Sequence, residues 1–388
     1  MPDISGRLDI ALHRDSARPT VTISSSRPVT AARVFAGKPV MEVARRLPML
    51  FSICATAQAQ ACALACERAL GVEASASALR LRALLLRAET VKEHLWRLLL
   101  DWPKAIGREP ATDAMAGAMR AYLALRGEQT AGADPFAPGA DPGPFDAARA
   151  GNQAGVLAAL VTAHVFGRDP ERWLVDVVDG DALKNWAESA GTGPAHLVLA
   201  LMRGGLADLG RNHVPTLPTL STQSLAEPMA GPAADAFVAA PTFAGRPHET
   251  TPLARSRGQP LVAALAQESG NGLLPRLAAL LVELAAAASE LSRPPPVPPR
   301  SSPFDDADGI GIGAAEAARG LLVHRVEVEN ELVQSYRILA PTEWNFHPDG
   351  VVAAGLAGLP VDAADLERRA RLYVTAVDPC VDYALSIA

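Results

Sequence analysis

The chain has 388 residues, 49% of them apolar and 20% charged, and a formal net charge of −6, which allows one large domain or two to three ordinary ones and a sizeable core. No dense Lys/Arg stripe marks a nucleic-acid surface, and four cysteines at this length do not make a disulfide framework. No apolar run reaches bilayer length and residues 1–9 show no secretory signal, so a reduced, cytoplasmic protein without a membrane span is expected.

Residues 7–36 read as strands: Leu8-Asp9-Ile10-Ala11-Leu12 alternates, and Thr20-Val21-Thr22-Ile23 is β-branched at period two. From Val40 to about Leu125 the pattern turns helical. Ser52 to Leu70 carries few charges, which predicts a buried helix. Ser75 to Leu100 sets Leu81, Leu84, Leu85, Leu95 and Leu98 against Arg80, Arg82, Arg87 and Lys92, an amphipathic pattern. Loose loops are expected near 131–146, 215–258 and 293–305, the last containing a polyproline-like run at 294–299. Helices are expected over 145–209 and again from Leu273 to Ser292.

Gly309-Ile310-Gly311-Ile312-Gly313 reads as a Gly-rich loop. It has no preceding strand and no Lys-Ser/Thr partner, so it is no nucleotide site. Leu322–Val328 and Leu332–Ile338 alternate around Asn330, predicting a hairpin. A helix opened by Asp362 is expected over 361–377, delivering the chain into Asp378-Pro379-Cys380. Cys54 lies far upstream. Two thiolates brought together from these positions would form a soft-metal site.

The segments Glu316-Ala317-Ala318-Arg319-Gly320, Ala340-Pro341-Thr342-Glu343-Trp344-Asn345 and Asp378-Pro379-Cys380 resemble the large subunit of nickel–iron hydrogenases. In that family an Ala-Pro-Arg-Gly segment opens a hairpin. A Val-Pro-Ser/Thr-Thr-Trp-Asn segment follows, and the chain closes on Asp-Pro-Cys-x-x-Cys-x-x-His. At the other end, Ser52-Ile53-Cys54-Ala55-Thr56-Ala57 sits where the family has Arg-Ile-Cys-Gly-x-Cys. The resemblance implies a mainly α (α+β) fold: a helical core with small β-sheets and hairpins, the N- and C-terminal motifs meeting at its centre. It also implies a single intertwined unit over 1–388.

The departures from the family are as informative as the matches. Cys54 and Cys380 keep the first place of each cysteine pair, while Ala57 and Tyr383 take the second places, which in the family bridge two metals. Ala61 and Ser386 replace the motif histidines, and only two residues follow Ser386, so no terminal extension is expected to await removal. No catalytic, hydrogen-activating site and no nickel are expected. Arg319 matches the family arginine that bonds one cyanide of the iron, and Thr342 the hydroxyl beside the other. This combination resembles accessory proteins of the HupK/HoxV type. It implies a non-catalytic carrier that holds an Fe(CN)2CO fragment on Cys54 and Cys380. The implied partners are a hydrogenase maturation complex with its small chaperone, and the hydrogenase large subunit. A metal-free docking protein that mimics the large subunit is the alternative.

Several other residues have plain structural readings. Cys62 and Cys66, four apart among alanines, read as packing residues. Trp344 and Asn345 read as structural, Glu89 and His94 as partners of one another in the core, and His324 and His347 as exposed hairpin or turn residues.

Overall fold

The computed structural model describes residues 6–14, 19–130, 132–221, 223–291, 293, 295–296 and 309–388. Pro294, Val297, Pro298 and Pro299 of the expected polyproline connection lie outside the described residues. Among the described residues, six strands form two sheets: β1 (Arg7–His13), β2 (Thr20–Ser25), β3 (Ile310–Ala317), β4 (Gly320–Glu329), β5 (Leu332–Leu339) and β6 (Asp382–Ile387). The rest is predominantly helical, as expected.

The first sheet joins the two ends of the chain. Its order is β2-β1-β6, with β1 antiparallel to β2 and parallel to β6. Alternation along β1 buries Leu8, Ile10 and Leu12 on one face. Leu8 pairs with Ser25 on one side and Tyr383 on the other. The exit of β2 and the entry to β6 therefore lie at the same end of β1. Strand structure stops at Ser25, short of the expected 36. Pro28 follows, a residue with no N–H to give a ladder, and a 3-10 turn covers Ala31–Phe35.

The second sheet is the antiparallel meander β3-β4-β5. The β4–β5 hairpin turns at Asn330 and Glu331, with φ of 50° and 62°. β3 corrects the reading of its glycines as a loop. Helix α2 (Ala55–Leu70), which follows α1 (Val40–Leu50), lies directly against this strand. A Cβ on Gly311 would fall 1.8 Å from the Ala65 carbonyl, and one on Gly313 2.0 Å from that of Ala61. The glycines, with the alanines opposite, allow backbone-to-backbone approach.

Helix α3 (Ala76–Trp96) is less simply amphipathic than expected. Arg82 is fully buried and Lys92 nearly so. Arg82 grips the Glu67 carboxylate of α2 with two nitrogens, at 2.6 and 3.0 Å, and donates to the carbonyls of Pro135 and Ala137. Glu67 also accepts from Gly139 N at 3.1 Å. These bonds tie Pro135, Ala137 and Gly139, in the irregular segment after 131, to α2 and α3. Segment 215–258 carries short helices at Gln223–Ala226, Ala234–Ala239 and Pro252–Ser256, and Glu249, Thr250 and Thr251 are buried in it. Glu249 pairs with Arg276 of the long buried helix Leu273–Leu291. The final helix runs Leu366–Val377 behind Asp365, four residues beyond the expected start at Asp362. Among the described residues no helix is long and apolar enough to cross a membrane.

Candidate metal-fragment site

Both ends of the chain meet around one cavity of about 140 Å³, lined among others by Arg27, Cys54, Gln58, Arg319, Glu343 and Cys380. Cys54 is the residue before α2, and both it and Cys380 are partly buried free thiols. The start of α2 would leave unsatisfied N–H groups. Glu89 of α3 meets two of them, accepting from Thr56 N at 2.8 Å and Ala57 N at 2.9 Å, and takes a third bond from the Tyr122 hydroxyl at 3.1 Å. Burial raises the Glu89 carboxyl above its ordinary range, against the pull of Lys92 and these backbone bonds.

The Cys54 thiol is pushed up to about 12, first by burial and then by Cys380 and Glu89. Arg319 and a 3.7 Å contact from Gln58 Nε2 offset only part of this.

Cys380 is placed by the turn that ends helix Leu366–Val377. Asp378 closes that helix in the left-handed region, with φ of 63°. Its carboxylate takes Arg319 Nε at 2.9 Å and is also paired with Arg97, which donates to the Pro379 carbonyl at 3.1 Å. Burial disfavours the Asp378 charge, but Arg319 and Arg97 outweigh it and hold the carboxyl below its usual range. At the sulfur, Arg27 Nη1 donates from 2.9 Å and the Thr342 hydroxyl lies 2.7 Å away.

Arg319 sits in the two-residue turn between β3 and β4. Gly320 follows at φ 138°, where a Cβ would meet the Thr250 hydroxyl at 2.2 Å. Asn345 secures the turn from the other side, donating to the Arg319 carbonyl at 3.0 Å and accepting from Thr250 N at 2.8 Å. Besides Asp378, Arg319 pairs with Glu93 at 2.9 Å. Burial works against its charge, but Asp378, Glu93 and the two cysteines hold it raised. Thr342 lies in the short helix Pro341–Asn345.

The structure thus brings Cys54, Cys380, Arg319 and Thr342 to one place. It adds Arg27, Gln58 and Glu343, which sequence reasoning missed. Arg27 lies two residues past β2, and no motif surrounds it. Its proximity to Cys380 follows from the β1–β6 pairing, and β6 was itself unexpected. Among the described residues, no group of three or more His, Cys, Asp or Glu side chains is arranged to hold a metal ion. Two sulfurs with outer donors suit a metal that arrives with ligands of its own.

Residues 264–385 match the family model of the nickel-dependent hydrogenases. Across nearly its whole length the chain is similar to the hydrogenase expression/formation protein HoxV of Cupriavidus necator, with 34% identity covering 94% of this chain and 92% of that one. The corresponding HupK protein of Azotobacter vinelandii is 31% identical, with 99% of each chain covered. The chain belongs to the HoxV/HupK hydrogenase expression/formation proteins. Its fold is that of the hydrogenase large subunit. The nickel–iron–selenium hydrogenase of Desulfomicrobium baculatum superposes with a TM-score of 0.66 at 14% identity, over 95% of both chains.

In this HoxV/HupK-type chain the positions read as departures from the large-subunit motifs are built into other contacts. Ala57 is fully buried, Ala61 lies under β3, and Tyr383 and Ser386 belong to β6, paired with Leu8 and Ala11. Glu89 and His94 do not pair with each other. Glu89 serves the start of α2, and His94 Nε2 lies 2.9 Å from Glu283. His324 and His347 are buried rather than exposed, His324 with its Nδ1 2.8 Å from the Tyr336 hydroxyl. Cys62 and Cys66 are fully buried, their sulfurs 3.9 Å apart.

Proposed function

We propose that this HoxV/HupK-type protein is a non-catalytic carrier in hydrogenase maturation. It holds an Fe(CN)2CO fragment on Cys54 and Cys380 before the fragment passes to the apo large subunit. The observation that carries this reading is the shared cavity. Two thiols from opposite ends of the chain line it together with Arg319, and Thr342 stands at Cys380. Soft thiolates suit low-valent iron, and guanidinium and hydroxyl donors suit cyanide nitrogens. Two protein ligands bring an iron that already carries three diatomic groups to five-coordination. They also hold it less firmly than a recipient offering four cysteines. The upstream partner would be the assembly complex with its small chaperone, and the downstream partner the large subunit.

Infrared spectra of anaerobically purified protein test the proposal. Cyanide and carbon monoxide bands are expected in the wild type and absent from Cys54→Ala and Cys380→Ala. Bands that survive in both variants, with maturation intact, would defeat it.

A further inference from the structure

The two thiols share their cavity with a second guanidinium besides Arg319. Arg27 Nη1 lies 2.9 Å from Cys380 Sγ, and its Nε lies 2.8 Å from Glu343 Oε1. The position is fixed by backbone. β2 delivers Arg27 to the end of β1 where β6 begins, and Ser26 N bonds the Arg7 carbonyl at 2.9 Å. Gly6, at φ +66°, passes so close that a Cβ there would stand 2.6 Å from Arg27 Cα. Glu343 turns the side chain so that one edge meets the carboxylate while Nη1 faces the sulfur. Only 15% of the Arg27 side chain is exposed, so it has little room to swing into solvent.

We propose that Arg27 is the specificity-determining residue of this site: its guanidinium occupies the cation's place beside the thiols, so the pair rejects bare divalent metal ions and accepts a metal already neutralised by anionic ligands. A naked divalent ion that displaces the thiol protons of Cys54 and Cys380 would leave the site two positive charges above the same site holding a dicyano iron(II), beside Arg27 and Arg319, and would compete with Arg27 for the Cys380 sulfur. Iron(II) carrying two cyanides adds no net charge. Its ligand nitrogens accept hydrogen bonds that a guanidinium can give. The inference rests on Cys54 and Cys380 being a metal-ligand pair, as proposed above, but its test needs no iron fragment.

The test is nickel(II) titration of the metal-free full chain, read by near-ultraviolet thiolate-to-metal absorption and calorimetry, with circular dichroism as the folding control. Wild type is expected to bind weakly. Arg27→Ala should gain about 100-fold in affinity, the size expected when a like-charge clash of a few kcal/mol is removed. Arg27→Lys, which keeps the charge, should stay weak, and Cys54→Ala added to Arg27→Ala should abolish the gain. Arg27→Gln, with nearly the original bulk, is measured in parallel and should also gain, whether or not the alanine variant folds. The proposal is overturned if wild type binds one equivalent of nickel through these thiols, if neither neutral variant binds more tightly than wild type, or if the lysine variant gains as much as they do. The infrared bands of the iron-loaded wild type are a separate readout. Their absence would count against the carrier reading and leave the nickel result standing.

Discussion

Arg319 Nε stands 2.9 Å from Asp378 Oδ1, tying the β3–β4 turn to the residue two before Cys380. The same carboxylate pairs with Arg97, which comes from the π-helical turn Arg97–Asp101 beyond α3. One side chain therefore anchors three segments around the site, and it does so buried, where an unpaired charge is costly.

Asp378→Asn is expected to lower stability by about 3 kcal/mol at pH 7, the scale for breaking a buried ion pair. Asparagine also tolerates the left-handed backbone at φ 63°, so the variant removes charge without adding strain. Because the folded-state carboxyl is depressed, its contribution is present above the ordinary Asp value of about 4 and lost as pH falls below it. Urea denaturation of both proteins from pH 7 to pH 3 checks this. The gap between them should narrow at the acid end, and a gap independent of pH counts against the ion-pair account.

Gly313→Ala tests the helix-on-strand contact that positions Cys54. Its Cβ would meet the Ala61 carbonyl at 2.0 Å, backbone against backbone, so relief requires α2 to move. A loss toward the upper end of the usual 1–3 kcal/mol overpacking range is expected, at about 3 kcal/mol. Gly127 lies in helix Thr112–Thr130 with nothing within 4 Å of its would-be Cβ, so Gly127→Ala should instead stabilise by about 0.5–1 kcal/mol. Thermal melts of the two single variants give the signs. Equal effects would mean that the β3 glycines do not serve close packing.

Those glycines also show what the sequence could and could not reveal. Periodicity found β1, β2 and the β4–β5 hairpin, and scarcity of charge found the buried helix α2, because both signals are local in the chain. It misread β3, because an Ile-Gly-Ile-Gly strand covered by an alanine helix has the composition of a loop. It placed Arg82 on a solvated face, because the Glu67 carboxylate and the Pro135 and Ala137 carbonyls that compensate it lie elsewhere in the chain. Cys54, Cys380, Arg319 and Thr342 were visible through motif resemblance, each carrying a flanking signature. Arg27 has none, and it reaches Cys380 through a parallel pairing between the first and last strands that leaves no short-range trace.

The Cys54 thiol offers a direct measure of the site's electrostatics. Burial, Cys380 and Glu89 push it up to about 12. At pH 8 its thiolate fraction is then on the order of 1,000-fold below that of an ordinary cysteine with a pKa of about 8.5. Cys54 is partly buried, so the rise of labelling with pH, rather than its rate at one pH, reports the held proton. Iodoacetamide labelling of the metal-free protein, mapped by mass spectrometry, should leave Cys54 nearly unmodified at pH 8 and modify it increasingly as pH rises above 10. Cys380→Ser removes the larger of the two neighbouring influences and should speed labelling of Cys54 at fixed pH. The raised value also means that the stability linked to this proton is present below about pH 8.5 and declines as pH climbs toward the folded value. Labelling of folded Cys54 at pH 8 as fast as in the urea-unfolded chain would show that the site does not hold the proton, and that Cys54 is already thiolate near neutral pH.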